Sequence, residues 1–298
     1  MKKPFRHLLF AVCVLIFGLS AKAALAADRA YAIVDSVQMP AWVERNGVRQ
    51  PLEPGRVLQN RDRVITGSDA RVLVSLAEGS AVKLGENTQL DLNALGRREN
   101  KVFTAALDVA KGAFRFTTGV FSNLRQQRAV NVRIATITAG IRGTDLWGSS
   151  DAERDLVCLL EGRITVFHPQ DEARELSEPL SVYSALKGTA PQAVDKVDAA
   201  QVATWSAETE VQPGSGYARR GGKWKVELAS VEGEAAALDL YDRARASGYA
   251  VHIRPRAMES GYSYAVRVIH LPSKAEAEIL ASKLSGVLAL DSPKVTRF

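Results

Sequence analysis

The sequence predicts two domains of different class. The first is all-β, a β-sandwich or a solenoid-like stack, and the second is an α+β domain of βαββαβ order on a four-stranded antiparallel sheet. Three observations predict this. Between Tyr31 and about Phe167, short runs of Val, Ile, Leu, Phe and Thr are broken at close spacing by Gly or Asn, and no helical period persists. In the last quarter, the alternating segment Trp224 to Leu228 is answered by Tyr264 to Val268, and each is followed by a helix-period pattern. Between these regions, Gly188 to Gly222 is rich in Ala, Gly, Pro and Ser and poor in bulky apolar residues, as expected of a boundary.

Residues 1–26 have the form of a secretory signal. Lys2, Lys3 and Arg6 precede an apolar run from Leu8 to Leu19, and Ala24-Leu25-Ala26 offers a small-x-small cleavage site before Ala27. The run is shorter than the roughly 18 residues a membrane-spanning helix needs, so no transmembrane anchor is expected. Cys13 lies inside the run and reads as part of the signal rather than as a site of lipid attachment. Removal of four basic residues with the signal would lower the formal charge from +6 to +2, which argues against nucleic acid as a partner. Export places the protein in the periplasm. Cys158, set among Leu156, Val157, Leu159 and Leu160, is expected to be buried and inert.

Residues 27–187 form the expected all-β domain. Its strands include Val64–Thr66, Val72–Leu76, Ala81–Leu84, Gln89–Leu92, Ala113–Thr117, Val130–Thr138, Leu156–Leu160 and Ile164–Phe167. Turns are expected at Glu78-Gly79-Ser80, Gly85-Glu86-Asn87, Lys111-Gly112, Arg142-Gly143-Thr144 and Glu161-Gly162-Arg163. In Gly140 to Asp145, both glycines are read as serving a tight turn braced by Arg142. Residues 188–222 read as a flexible linker in which Asp198 to Thr209 could form a short helix that docks Trp205 onto the first domain.

Residues 223–298 form the second domain. Ala237, Leu240, Tyr241 and Ala244, and later Ala277, Leu280, Ala281 and Leu284, recur at i, i+3, i+4, i+7, so each helix presents one apolar stripe. Ser273 and Glu276 match a capping box, and Gly248 suits the left-handed end of the first helix. Further strands near Val251–Arg256 and Lys294–Arg297 complete a sheet with helices on one face and the other face open. Alternation places Lys225, Glu227, His252, Arg254, Arg256, Ala265 and Arg267 on that open face, opposite Val226, Leu228, Val251, Ile253, Val266 and Val268. Trp224 and Tyr264, equivalent in the two halves, are expected to pack on the core.

The sequence signals of catalysis are missing. His168, His252 and His270 do not fall at metal-ligand spacing, and there is no G-x-S-x-G elbow, P-loop or G-x-G-x-x-G. Neither an enzymatic activity nor a cofactor is expected.

The last 75 residues resemble the SPOR domain, a peptidoglycan-binding module of bacterial envelope proteins. The resemblance rests on Trp224 to Ser230, the Ala-rich helix, the Gly248-Tyr249-Ala250 turn, and Tyr264 to Val268 before a Ser-Lys-Ala-Glu-Ala helix start. It implies peptidoglycan as partner and a link to cell division, with Lys225, Glu227, Ser230, His252, Arg254, Arg256 and Arg267 as the glycan-binding surface. The chain departs from the family at Glu227, often Gln there, and at Ala265. In the first domain, Arg61 to Gly67, Ala70 to Leu76, Glu78-Gly79-Ser80 with Leu84 to Thr88, Lys111 to Phe116, Gly140 to Asp145 and Leu160 to Arg163 follow one another as in a FecR-type periplasmic domain. That resemblance implies a further ligand or other envelope proteins as partners. The expectation is a non-enzymatic periplasmic protein that binds glycan through its second domain. The alternative is an envelope sensor or protein-interaction module without glycan binding.

Overall fold

The computed structural model describes residues 30–98, 102–119, 128–141 and 143–298. The expected signal segment and Arg142 lie outside them. Residues from Tyr31 to Phe298 form one compact unit.

The chain lays down β1 (Ala32–Gln38), β2 (Ala41–Arg45), β3 (Val48–Pro51) and β4 (Val57–Leu58). It continues with β5 (Arg63–Thr66), β6 (Arg71–Leu76), β7 (Ala81–Leu84), β8 (Gln89–Arg97) and the 15-residue β9 (Phe103–Thr117). Strands β10 (Arg128–Ile134), β11 (Ile137–Ile141), β12 (Asp145–Ser150), β13 (Arg154–Glu161) and β14 (Ile164–Phe167) follow. Then come β15 (Arg174–Leu176), β16 (Ser181–Leu186), β17 (Asp195–Lys196), helix α1 (Ala199–Thr209) and β18 (Ala218–Arg219).

Pairing resolves these 18 strands into two layers joined at β9. The first runs β18–β1–β6–β7–β9–β12–β13–β16–β17, with β4 also on β1. The second runs β3–β2–β5–β8–β9–β10–β11–β14–β15, antiparallel except for β9–β10. Hairpins alternate between layers, so the winding is solenoid-like while the packing is that of a sandwich. Inward residues of both layers, among them Val74, Phe114 and Leu159 from one and Val64, Leu107 and Val132 from the other, share one core.

Two turn expectations are corrected. Lys111-Gly112 does not reverse the chain: Gly112, at φ +88°, lies within β9, where the strand passes from one layer to the other. Gly140 lies in β11, paired with Asn131 and Thr165, and only Gly143 takes a left-handed turn conformation.

The C-terminal part has the expected order: β19 (Trp224–Val231), α2 (Glu234–Ala246), β20 (His252–Ala257), β21 (Tyr262–Leu271), α3 (Lys274–Leu288) and β22 (Lys294–Arg297). The sheet order is β20–β21–β19–β22, all antiparallel. Ala237, Leu240 and Ala244 of α2 and Ala277, Leu280, Ala281 and Leu284 of α3 are buried on its covered face, while Trp224 and Tyr264 are half-buried against the core. Helix α2 ends in a Schellman motif: Tyr249 N–H donates to Ala244 O at 3.0 Å and Gly248 N–H to Arg245 O at 3.0 Å.

Where the composition suggested a flexible linker, residues 188–222 carry β17, α1 and β18. Asp198 caps α1 through Gln201 N–H, and Trp205 docks on the first domain as anticipated. Glu276 behaves differently from the capping-box expectation. Ser273 Oγ accepts from Glu276 N–H, but the Glu276 carboxylate is buried and accepts from Gly214 N–H at 2.6 Å and Gly216 N–H at 2.7 Å. Composition suggested flexibility because few side chains here can be buried; the order comes from backbone groups that find partners. β18 pairs with β1, and Arg220 N–H donates to Asp35 O. The two folded parts also touch directly, through Ala41 N–H to Gly248 O at 3.2 Å and an ion pair between Lys283 and Asp69 at 3.6 Å.

Candidate functional site

The open face of the C-terminal sheet is built by register. Arg267, on β21, has Glu227 of β19 on one side and His252 of β20 on the other, and Glu227 in turn faces Lys294 of β22. One row along, Ala265 lies between Ser230 and Arg254. A bulge between Glu227 and Ala229 keeps both rows on the open face, because the extra residue restores the alternation that Leu228 would otherwise shift.

Arg256 and Glu227 form a two-point ion pair across β21, with Nη2 to Oε2 at 2.5 Å and Nη1 to Oε1 at 3.3 Å. The pair spans β21, where Ala265, between Ser230 and Arg254 on the open face, is fully buried. A small residue at this position leaves space for side chains that cross the strand. The two departures from the family pattern, Glu227 and Ala265, are thus parts of one local arrangement. Glu227, 12% exposed at its side chain, is neutralised by Arg256 rather than presented bare to a ligand.

Arg267 is the electrostatic centre. Burial, and then the neighbouring Arg254 and Arg256 cations, lower its pKa, while Glu227 acts in the opposite sense. Its Nε is buried without a hydrogen-bond acceptor. Lys225 Nζ lies 4.9 Å from the centre of the Phe298 ring and the Arg267 guanidinium 6.0 Å from it. The face therefore combines crowded cations, an unmet donor and an exposed aromatic edge. It suits an oxygen-rich anionic or polar polymer.

Of the seven expected site residues, the structure brings Lys225, Glu227, Arg254, Arg256 and Arg267 together, with Ser230 exposed at the margin. His252 stands beside Arg267 in the same row and also reaches out of the sheet. Its Nε2 is 3.0 Å from Glu53 Oε2 of the first domain, so the ring is engaged at the contact between the two parts. Sequence reasoning missed Lys294, Thr296 and Phe298. The period-2 pattern of β22 carried the signal, since Val295 faces the core side and its neighbours must face out.

Among the described residues no His, Cys, Asp and Glu side chains gather into a metal-binding group, and no helix is long and apolar enough to cross a membrane. Cys158 lies in a small cluster with Trp147, Leu156 and Val182, and burial pushes its thiol up to about 12.

Comparison with known proteins agrees with this division. The family described as FecR protein matches residues 62–165, and the SPOR domain matches residues 221–295. Both are families of non-catalytic domains. No curated protein matches the chain. Two crystal structures of a protein described as a candidate anti-sigma factor from Parabacteroides distasonis ATCC 8503 align with it at 15% identity. They cover 75% of this chain and 91% and 90% of theirs, with TM-scores of 0.40 and 0.41. By the two family matches, the chain carries a FecR-type segment at 62–165 followed by a C-terminal SPOR domain at 221–295.

Proposed function

We propose that this is a non-enzymatic periplasmic protein, exported by a cleaved signal, that binds peptidoglycan glycan through the open face of its SPOR domain. The observation that carries the reading is Arg267, with its Nε buried and unpartnered, set beside Arg254 and beside an Arg256 that is paired with Glu227. Like charges held together in a folded protein repel, and an acceptor-rich ligand relieves that repulsion while meeting the free donor. The FecR-type domain then serves as a sensing or adaptor module for a second ligand at the cell envelope. Sedimentation of the full chain with sacculi tests the glycan assignment. Binding should survive amidase treatment, which strips peptides and leaves glycan. Loss of binding on treated sacculi would assign recognition to the peptides instead.

A further inference from the structure

The outer face of the first β-layer carries a second candidate site. Helix α1 lies over it, its end tied down by ion pairs of Glu210 with Lys83 and with Arg115, the latter at 3.6 Å. Trp205 of α1 stacks on Trp147 of β12 with ring centres 4.7 Å apart and planes 3° from parallel. A cleft of about 890 Å³ opens on one side of this stack, toward the β16–β17 connection at Gln192 and Asp195. A second, of about 460 Å³, opens on the other side, toward Arg71 and Ser149. Trp205, Arg154 and Leu156 line both, so the two clefts form one groove divided by the indole.

The groove's polar groups define its ligand. Trp147 is 3% exposed and Arg71 8% exposed, and both line the smaller cleft, yet Trp147 Nε1 and Arg71 Nε have no acceptor. Buried N–H groups left without acceptors are rare and costly, so these two call for ligand oxygens. An anion is a poor match, because Arg71 and Arg154 are offset by Glu86, Asp151 and Glu208 along the same cleft. A purely apolar ligand would leave the donors unmet. What remains is an uncharged molecule with a flat carbon face for the indole and hydroxyls that both accept and donate. We propose that this groove binds a neutral saccharide, packed against Trp205 with oxygens accepting from Trp147 Nε1 and Arg71 Nε. The site is separate from the open face of the SPOR domain, so the two would grip carbohydrate independently.

The test is calorimetric and fluorescence titration of the full chain with chitotetraose, a neutral N-acetylhexosamine oligomer, and with a tetramer of galacturonic acid. Both are repeated on the Arg254→Ala/Arg267→Ala background, which silences the open face. The neutral oligomer should shift tryptophan emission and bind on either background, and on the silenced background, where only the groove remains, the acidic tetramer should bind at least tenfold more weakly. Trp147→Phe, which keeps an aromatic stack but removes the donor, should weaken binding about tenfold, and Arg154→Ala, on an exposed side chain lining both clefts, about fivefold. Should Trp147→Phe fold poorly, the Arg154→Ala result decides. Absence of neutral-oligomer binding on the silenced background, equal or tighter binding of the acidic tetramer on that same background, or wild-type affinity in the folded variants would overturn the assignment.

Discussion

Gly248→Ala probes how the two folded parts are held together. Gly248 has φ +84°, and a Cβ there would lie 2.5 Å from Trp42 Cζ2 and 2.7 Å from Pro40 Cβ. The left-handed conformation costs a non-glycine residue about 1–2 kcal/mol. Forcing a methyl against a packed indole adds about 1–3 kcal/mol. The sum, about 2–5 kcal/mol, corresponds to a fall in Tm of roughly 4–20 °C at about 2–4 °C per kcal/mol for a unit this large. Gly286→Ala is the control, since Gly286 lies in the last turn of α3 with nothing within 4 Å of its would-be Cβ. It should raise stability by up to about 1 kcal/mol. Thermal melts by circular dichroism measure both, and Trp42→Ala should recover the steric part in a double variant. Limited proteolysis supplies a second reading: wild type should resist cleavage at 210–222, and Gly248→Ala should expose it. If Gly248→Ala melts with wild type, the contact between the two parts does not carry the stability ascribed to it.

Acid should loosen the same contact in two steps. Burial lowers the His270 pKa below its ordinary 6.5, so stability is full above that value and is lost as pH falls through the folded one. The hydrogen bond from His252 lowers the Glu53 pKa below its ordinary 4.5, so its contribution is present above 4.5 and lost further down. Melts at pH 7.5, 5.5 and 3 should show both, and His270→Gln should remove only the upper step. In the FecR-type domain, Arg45 meets the fully buried Asp62 through two bonds of 2.7 Å, and Asp62 also accepts from Gln59 N–H at 2.8 Å. Arg45→Ala leaves that carboxylate unpaired and should cost about 3–5 kcal/mol, seen as a lower urea midpoint. Cys158 should resist iodoacetamide at pH 8 in the native protein and react only after unfolding; rapid native labelling would contradict its burial.

The order of elements in the SPOR domain was legible because helix and strand periods differ and each half repeats the other. The face they create was legible to the extent that alternation is local. Lys225, Arg254, Arg256 and Arg267 follow from period 2 alone. Partners across the fold are another matter: nothing near His252 in sequence announces Glu53, 199 residues away. The same holds for the linker, where Pro213 to Gly216 look unstructured until Glu276 captures two of their amides. In the FecR-type domain, Gly112 signalled a break in regular structure, but a strand that changes layers and a strand that ends need the same residue. Only pairing distinguishes them.

Sedimentation of the full chain with sacculi at two salt concentrations tests whether the arginine-rich sheet face holds glycan. Arg254→Ala and Arg267→Ala should each weaken binding about three- to tenfold, since charge-assisted bonds of about 1.5–3 kcal/mol are reduced by solvent screening at this exposed face. Glu227→Gln should tighten binding at low salt, because it releases the Arg256 guanidinium from its two-point pair. All three differences should shrink at high salt. If wild type and the three variants remain in the supernatant alike, the face does not bind glycan and the domain serves as a protein-interaction surface instead.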